Sequence, residues 1–318
     1  MKRAIIIGAN SYIARNMIHV LGDRKGAEVV ALYDCQSEHS DGASNYRQID
    51  ILDETSLALV DLDVDLIFFF AGKTGTAAGF ENYDLFIDVN EKGLLNLLSA
   101  YRKQQSRAKI IFPSSRLVYK GKKGALKEDS EKEFKTVYAI NKFACEQYLK
   151  MYATSFDVRY CIFRICVPYG TLIPGASSYG TAEFMLERAQ AGNNISLYGD
   201  GSVRRTLTYI KDLCETMLLG ALSSECENDV FNIGGEDYSL FEMASLIVEK
   251  YKVSIEFEEW PELAQKIESG DTVFDSGMLG THLQRGMSTG DTPPGRNVPA
   301  TPPGRNVPIT FKKWILEN

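Results

Sequence analysis

"AIIIGANSYIARNMI", residues 4–18, decides how the rest of the chain is read. Ala4 to Ile7 is a continuous apolar run without in/out alternation, as in a strand buried on both faces. Gly8 then supplies a turn, and Ile13, Met17 and Ile18 follow at helical spacing. Strand, glycine turn and helix thus fit within fifteen residues. That order suits an anion resting on a helix N-terminus, where free N–H groups and the positive end of the macrodipole meet it. The spacing is Gly8-x-x-Ser11-x-x-Ala14. A dinucleotide-binding turn carries glycine at all three positions. Gly8 keeps the tight turn, and Ala14 is small enough for close helix–strand packing. Ser11 departs where the backbone comes nearest to phosphate.

Working outward, strands are expected at Arg3–Ile7, Glu28–Tyr33, Tyr46–Gln48, Leu66–Phe70, Lys109–Phe112 and Tyr160–Arg164. Helical patterns fall between them at Ser11–Leu21, Ser56–Leu59, Tyr83–Gln104 and Tyr138–Ser155. Strands alternating with helices predict an α/β protein with a parallel sheet covered on both faces. Beyond about residue 165 the pattern changes. A loop rich in Gly, Pro and Ser (168–180) leads to a helix at Ala182–Ala191, then a turn at Gly199–Gly201 and a strand at Thr206–Ile210. A further strand, "VFNIGG" (230–235), precedes a helix at 239–251 with Ser239 as its cap. TPPGRNVP occurs twice, at 292–299 and 301–308, and holds six of the ten prolines. Two copies are too few for a solenoid, so a polyproline-like loop is expected there. "FKKWILEN" closes the chain as a helix.

Bulk composition narrows the function. The 318 residues are 44% apolar, with a formal net charge of −7, which argues for a soluble globular protein and against general nucleic-acid binding. No apolar run reaches the length needed to cross a membrane. The six cysteines (35, 145, 161, 166, 214, 226) lie far apart with no CxxC pair, which fits reduced thiols in a cytoplasmic protein. The three histidines (19, 39, 282) are scattered, so neither a metal site nor a Ser-His-Asp triad is expected.

Two carboxylates extend the reading of the turn. Asp34 ends the strand "VVALYD", where a carboxylate accepts both hydrogen bonds of an adenosine ribose diol and repels a 2′-phosphate. NAD is therefore expected rather than NADP. Asp50, after another short strand, is placed to meet the adenine amino group. Further on, "IIFPSSRLVYK" (110–120) ends a buried strand on two hydroxyls and a cation. Tyr138-x-x-x-Lys142 puts a phenol and an ammonium on one helix face, 23 residues past Ser115. A neighbouring cation stabilises phenolate and is expected to lower the tyrosine pKa towards that of a general base.

With these pieces in order, the chain resembles the extended short-chain dehydrogenase/reductase family, the nucleotide-sugar epimerases and dehydratases, with UDP-glucose 4-epimerase-like enzymes among them. The likeness covers roughly residues 1–275. It rests on GANSYIA (8–14), Asp34, DIL (50–52), FAGKTG (70–75), VNEKGLLNLL (89–98), SSRLVY (114–119), YAINK (138–142), RICVPYG (164–170), YGDGSVRRTLTYIKD (198–212) and FNIGG (231–235). The resemblance implies a Rossmann-type doubly wound parallel sheet over residues 1–165, rejoined by 207–235. It also implies a smaller α/β substrate domain from 166–206 and 236–318, with 288–309 as a Pro-rich loop.

The same resemblance implies a catalytic set of Ser115, Tyr138 and Lys142. NAD would be held by Gly8, Asn10, Ser11, Tyr12, Ile13, Asp34, Asp50, Ile51, Ala71, Gly72, Lys73, Asn90 and Ser114, together with Tyr138 and Lys142. A nucleotide-diphosphate sugar would meet Ser115, Arg116, Val167 and Arg205, with Arg205 on the pyrophosphate. Val167 stands where the family carries asparagine. A homodimer built on the helices that include 83–104 and 138–155 is also implied.

The residues after Ser115 separate the reactions. A family 4,6-dehydratase carries Asp-Glu there and a sugar-acid decarboxylase a glutamate; here the positions hold Arg116 and Leu117, neither able to transfer protons. An epimerase that oxidises a sugar carbinol, with C4 the expected carbon, and returns the hydride is preferred. A reductase of 4-keto-6-deoxysugars or another sugar-nucleotide dehydrogenase, and a non-catalytic NAD-binding protein, stay open.

Overall fold

The computed structural model describes residues 1–23, 26–176, 178, 180–288 and 309–317. The TPPGRNVP repeats expected to form a loop lie outside the described residues. Seven strands form the main sheet in the spatial order Asp229–Asn232, Arg159–Ile165, Lys109–Ser115, Leu66–Phe69, Lys2–Ile7, Ala27–Asp34, Tyr46–Gln48. Every pairing in it is parallel. Parallel neighbours need crossover connections, and helices on both faces supply them.

The apolar run at 4–7 now has its explanation. Ala4 and Ile6 join one core with Phe68 and Ile111. Ile5 and Ile7 join another with Ile67, Phe69, Ile110 and Phe112. Successive side chains point to opposite faces and both faces are covered, so no polar residue interrupts the run. Lys2–Ile7 lies between Ala27–Asp34 and Leu66–Phe69, where the strand order reverses. A crevice opens at such a switch point, beyond the carboxyl ends of the strands.

A smaller region follows. Glu236–Ser239, Arg204–Tyr209 and Val167–Tyr169 make a three-stranded sheet. Ile195–Tyr198 pairs with Ile255–Glu258, and Ala125–Leu126 with Val273–Phe274. The strand expected at 206–210 begins two residues earlier and gives way to the helix Ile210–Leu222. Ser239 caps the helix Leu240–Tyr251 in a reciprocal box: its hydroxyl accepts from Glu242 N at 3.0 Å, and Glu242 accepts from Ser239 N at 2.8 Å. The terminal helix Phe311–Glu317 docks Phe311 and Trp314 on Tyr169.

The stretch expected as one helix at 83–104 is interrupted. Tyr83–Phe86 and Gly93–Lys103 are α-helical, with a π-helical turn at Ile87–Lys92 between them. Such turns re-aim a side chain at the cost of regular hydrogen bonding, and this one carries Asn90.

Candidate active site

Gly8 follows the Lys2–Ile7 strand with φ +86°, and a Cβ there would lie 2.3 Å from the Ala71 backbone nitrogen. Only glycine fits both demands. Phe70 and Ala71 are held beside it, both amides donating to the Ile7 carbonyl at 2.7 and 3.0 Å. The helix Tyr12–Asp23 begins four residues after Gly8. At its entrance the Ser11 hydroxyl is buried without a hydrogen-bond partner among the described residues. A buried donor left free at a helix N-terminus fits a phosphate oxygen. The departure from glycine at this position therefore adds a donor.

Asp34 is fixed by two backbone amides: Oδ2 accepts from Asn10 at 2.9 Å and Oδ1 from Cys35 at 2.8 Å. Each oxygen retains lone-pair capacity for a diol. The Asn10 side chain accepts from Ser40 N at 2.8 Å and donates to the Glu38 carbonyl at 3.0 Å, tying the loop after Asp34 to the phosphate turn. Tyr12 donates to the Gly170 carbonyl at 2.6 Å, joining the turn to the smaller region, while Ile13 packs against the core. Asp50 accepts from Leu52 N at 2.9 Å. Ile51 is buried against Gly93, where a Cβ would come within 2.5 Å of it.

Asn90 organises the next strand end. Its Oδ1 accepts from Lys73 N at 2.7 Å; its Nδ2 donates to the Lys73 carbonyl at 3.1 Å and to Asn141 Oδ1 at 3.3 Å. Gly72 fits beneath it, since a Cβ there would be 3.0 Å from Asn90 Oδ1. Residues 71–73 are thereby clamped to the helix Val137–Phe156. That helix is capped by Thr136, whose Oγ1 accepts from Ala139 N at 3.1 Å.

Tyr138 and Lys142 sit one turn apart on this helix. Lys142 Nζ donates to the Pro113 carbonyl at 2.8 Å, on the strand that carries the serines. Its ammonium is 4.6 Å from the Phe112 ring centre and 5.8 Å from that of Tyr138. Ser115 Oγ accepts from Leu117 N at 3.2 Å, which leaves its own proton to donate. Burial pushes the Tyr138 phenol up to about 12; a hydrogen bond with Ser115 and the Arg116 charge pull the other way. Burial takes Lys142 down to about 8. The expectation that Lys142 brings the phenol into a general base's range is thus corrected: the ammonium is spent on Pro113, and desolvation outweighs the remaining charge effects.

Ser114 and Ser115 face opposite ways, as neighbours on a strand must. Ser114 donates to Glu146 Oε1 at 2.6 Å. The Ser114 proton is thus committed to a structural bond, which leaves only the oxygen's lone pairs for the expected cofactor contact. Glu146 also takes Arg164 in a fork, at 2.9 and 2.6 Å. Arg164 continues to Tyr119 at 2.7 Å, and Tyr119 to Asn232 Oδ1 at 2.7 Å. This buried network, missed from sequence, joins the serine strand, the Tyr138 helix and the outer strands. Its one local signal was Glu146, four residues after Lys142.

In the smaller region, Arg205 is buried; it donates to Glu268 Oε1 and to the Gly270 carbonyl, both at 2.6 Å. The guanidinium expected on a pyrophosphate is thus already paired. Arg116 Nη1 donates to Ser269 Oγ at 2.9 Å. Val167 is in register with Leu207 and packs into the core. All six cysteines are free thiols, and among the described residues no helix is long and apolar enough to cross a membrane.

A model of the NAD-dependent epimerase/dehydratase family matches residues 4–234. The chain belongs to that family. It is 25% identical over 188 residues to a putative UDP-glucose 4-epimerase of Methanocaldococcus jannaschii, covering 58% of this chain and 60% of that one. It is 26% identical over 247 residues to the UDP-N-acetyl-alpha-D-glucosaminuronate decarboxylase of Bacillus cytotoxicus, covering 74% and 76%. Among solved structures it superposes on Thermus thermophilus UDP-glucose 4-epimerase, in a complex with NAD, with TM-score 0.76 at 22% identity over 93% and 95% of the two chains. Pal from Bacillus thuringiensis gives 0.78 at 19% identity over 99% of each. These superpositions identify the Rossmann-type fold of this epimerase/dehydratase family member. NAD is the family's cofactor, and the glycine fit at Gly8, the free Ser11 hydroxyl and the anchored Asp34 carboxylate suit its phosphate and ribose.

Proposed function

We propose that the chain is an NAD-dependent epimerase of a nucleotide-linked sugar, acting at C4. The observation that carries this reading is the convergence of Ser115, Tyr138 and Lys142 beyond the carboxyl ends of the strands, beside the Gly8 turn. NAD, when bound, supplies a hydride acceptor and donor. In the protein alone the Tyr138 phenol is held protonated by burial; with the positive charge of bound NAD added to that of Lys142 it would act as phenolate, taking the proton of the sugar hydroxyl and later returning it. Ser115 donates to the same oxygen and holds it in line. Lys142, anchored on Pro113, fixes the strand against the helix and adds positive charge near the phenol. Arg116 and Leu117 bring no acid or base for eliminating water, which favours epimerisation over dehydration. The names of several relatives, UDP-glucose 4-epimerase among them, agree with this reading.

The chain is further proposed to act as a homodimer. Leu85, Ile87, Ile140 and Met151 are each 44–51% exposed on the two helical stretches around the site. A second copy placing the same stretches opposite would cover them.

The test is incubation with a panel of UDP-, GDP-, dTDP- and CDP-sugars, followed by NMR of the products. A C4 epimer formed without net NADH is expected. Tyr138→Phe should lower turnover at least a hundredfold while NAD stays bound. Carbon dioxide release, net NADH, or full activity of the Phe variant would overturn the proposal.

A further inference from the structure

Among the described residues Arg116, unlike Arg205, has no ion pair with a carboxylate. It follows Ser115 in the chain, and its charge bears on the Tyr138 phenol. Its side chain donates to a neutral group, Nη1 to Ser269 Oγ at 2.9 Å. The nearby carboxylate, Glu268, is engaged elsewhere: Oε1 receives Arg205 Nη2 at 2.6 Å and Gly270 N at 2.9 Å. Two guanidiniums therefore share one carboxylate, and the surplus positive charge rests on Arg116. Burial and the repulsion of Arg205 both work against that charge. A guanidinium offers five N–H donors and stays charged, so such a group calls for an anion with planar oxygens.

Its position says which anion. In a nucleotide-linked hexose the diphosphate hangs from C1, across the ring from C4. The groups next to C4 are the hydroxyl on C3 and the substituent on C5, and of these the C5 substituent is the one that becomes an anion when it is oxidised to a carboxylate. A cation adjoining the serine and tyrosine that handle the C4 hydroxyl is placed for that substituent. We propose that Arg116 binds a carboxylate on C5 of the sugar ring, making the substrate a nucleotide-linked uronic acid. This rests on the sugar-nucleotide reading above. A bidentate guanidinium–carboxylate pair matches in geometry and charge, whereas the hydroxymethyl group of a neutral hexose leaves the cation unpaired.

The test compares matched pairs, hexose and hexuronic acid on UDP and on GDP, with wild type, Arg116→Gln and Arg116→Lys. Wild type should favour the uronic acid at least tenfold in kcat/KM. Arg116→Gln should collapse that preference by roughly ten- to a hundredfold, mainly through KM. Arg116→Lys, which keeps the charge without the planar fork, should recover part of it. Bound NAD and melting temperature report that the variants fold, and calorimetry with UDP or GDP alone reports on the diphosphate. Equal losses on both sugars, with weaker binding of the free nucleotide, would place Arg116 on the diphosphate and overturn the inference. A wild type that epimerises only neutral hexoses would also overturn it while keeping the epimerase reading. No turnover of any sugar nucleotide would overturn both.

Discussion

Ser114 Oγ donates to Glu146 Oε1 at 2.6 Å, bridging the strand that ends in Ser115 to the helix that carries Tyr138 and Lys142. The carboxylate is fully buried and shared with Arg164. With Lys142 on Pro113, this contact ties together the two elements proposed to carry catalysis. Removing the Glu146 charge should therefore disturb both stability and geometry.

Glu146→Gln leaves the Arg164 cation buried against neutral partners. A loss of about 3 kcal/mol in urea denaturation is expected, with a fall in kcat because Ser115 and Lys142 lose their common support. Ser114→Ala should cost only about 1 kcal/mol and leave NAD affinity unchanged. A large drop in NAD affinity for Ser114→Ala would show that the hydroxyl does reach the cofactor.

Gly8→Ala combines a left-handed backbone with a contact to the Ala71 nitrogen that cannot give way. Strain alone costs roughly 1–3 kcal/mol, and relief requires moving the Phe70–Ala71 turn. The variant should melt lower and be purified with little NAD, read by absorbance of the protein-bound fraction. Normal NAD content would exclude the tight turn described here.

Glu183 offers a pH signature. It is buried, accepts from Gly170 N through Oε1 at 2.6 Å, and has no partner for Oε2 among the described residues. Burial raises its carboxyl to about 7 from an ordinary 4.5. The folded protein therefore binds this proton more tightly than the unfolded chain does. The stabilisation is complete below pH 4.5 and is lost as pH rises through 7. Glu183→Gln should flatten that dependence and be more stable than wild type at pH 8, by about 1–3 kcal/mol. Parallel melting curves for the two proteins from pH 5 to 8 would contradict the assignment.

Ile140→Asp with Met151→Asp tests the proposed dimer. Light scattering should give a dimer for wild type and a monomer for the double variant, with the monomer's far-UV spectrum unchanged. A monomeric wild type would remove the second copy from the account.

The sequence by itself determined what is local or periodic. The run Ala4–Ile7, the glycine turn and the helix after it announced a doubly covered parallel sheet with an anion site, because period and turn chemistry are short-range. The Tyr138–Lys142 spacing announced one helix face for the same reason. Tertiary structure decided the rest. Neighbouring serines look alike in sequence, yet strand geometry sends Ser114 to Glu146, 32 residues away, and leaves Ser115 for the site. Tyr119 finds Asn232 across 113 residues, and Arg205 finds Glu268 across 63. Asn90, on a π-helical turn, meets Lys73 across 17 residues. Which charges are neutralised, and which, like that of Arg116, are left over, depends on such distant encounters. Burial then fixes how acidic Tyr138 and Lys142 are, and no spacing along the chain reports burial.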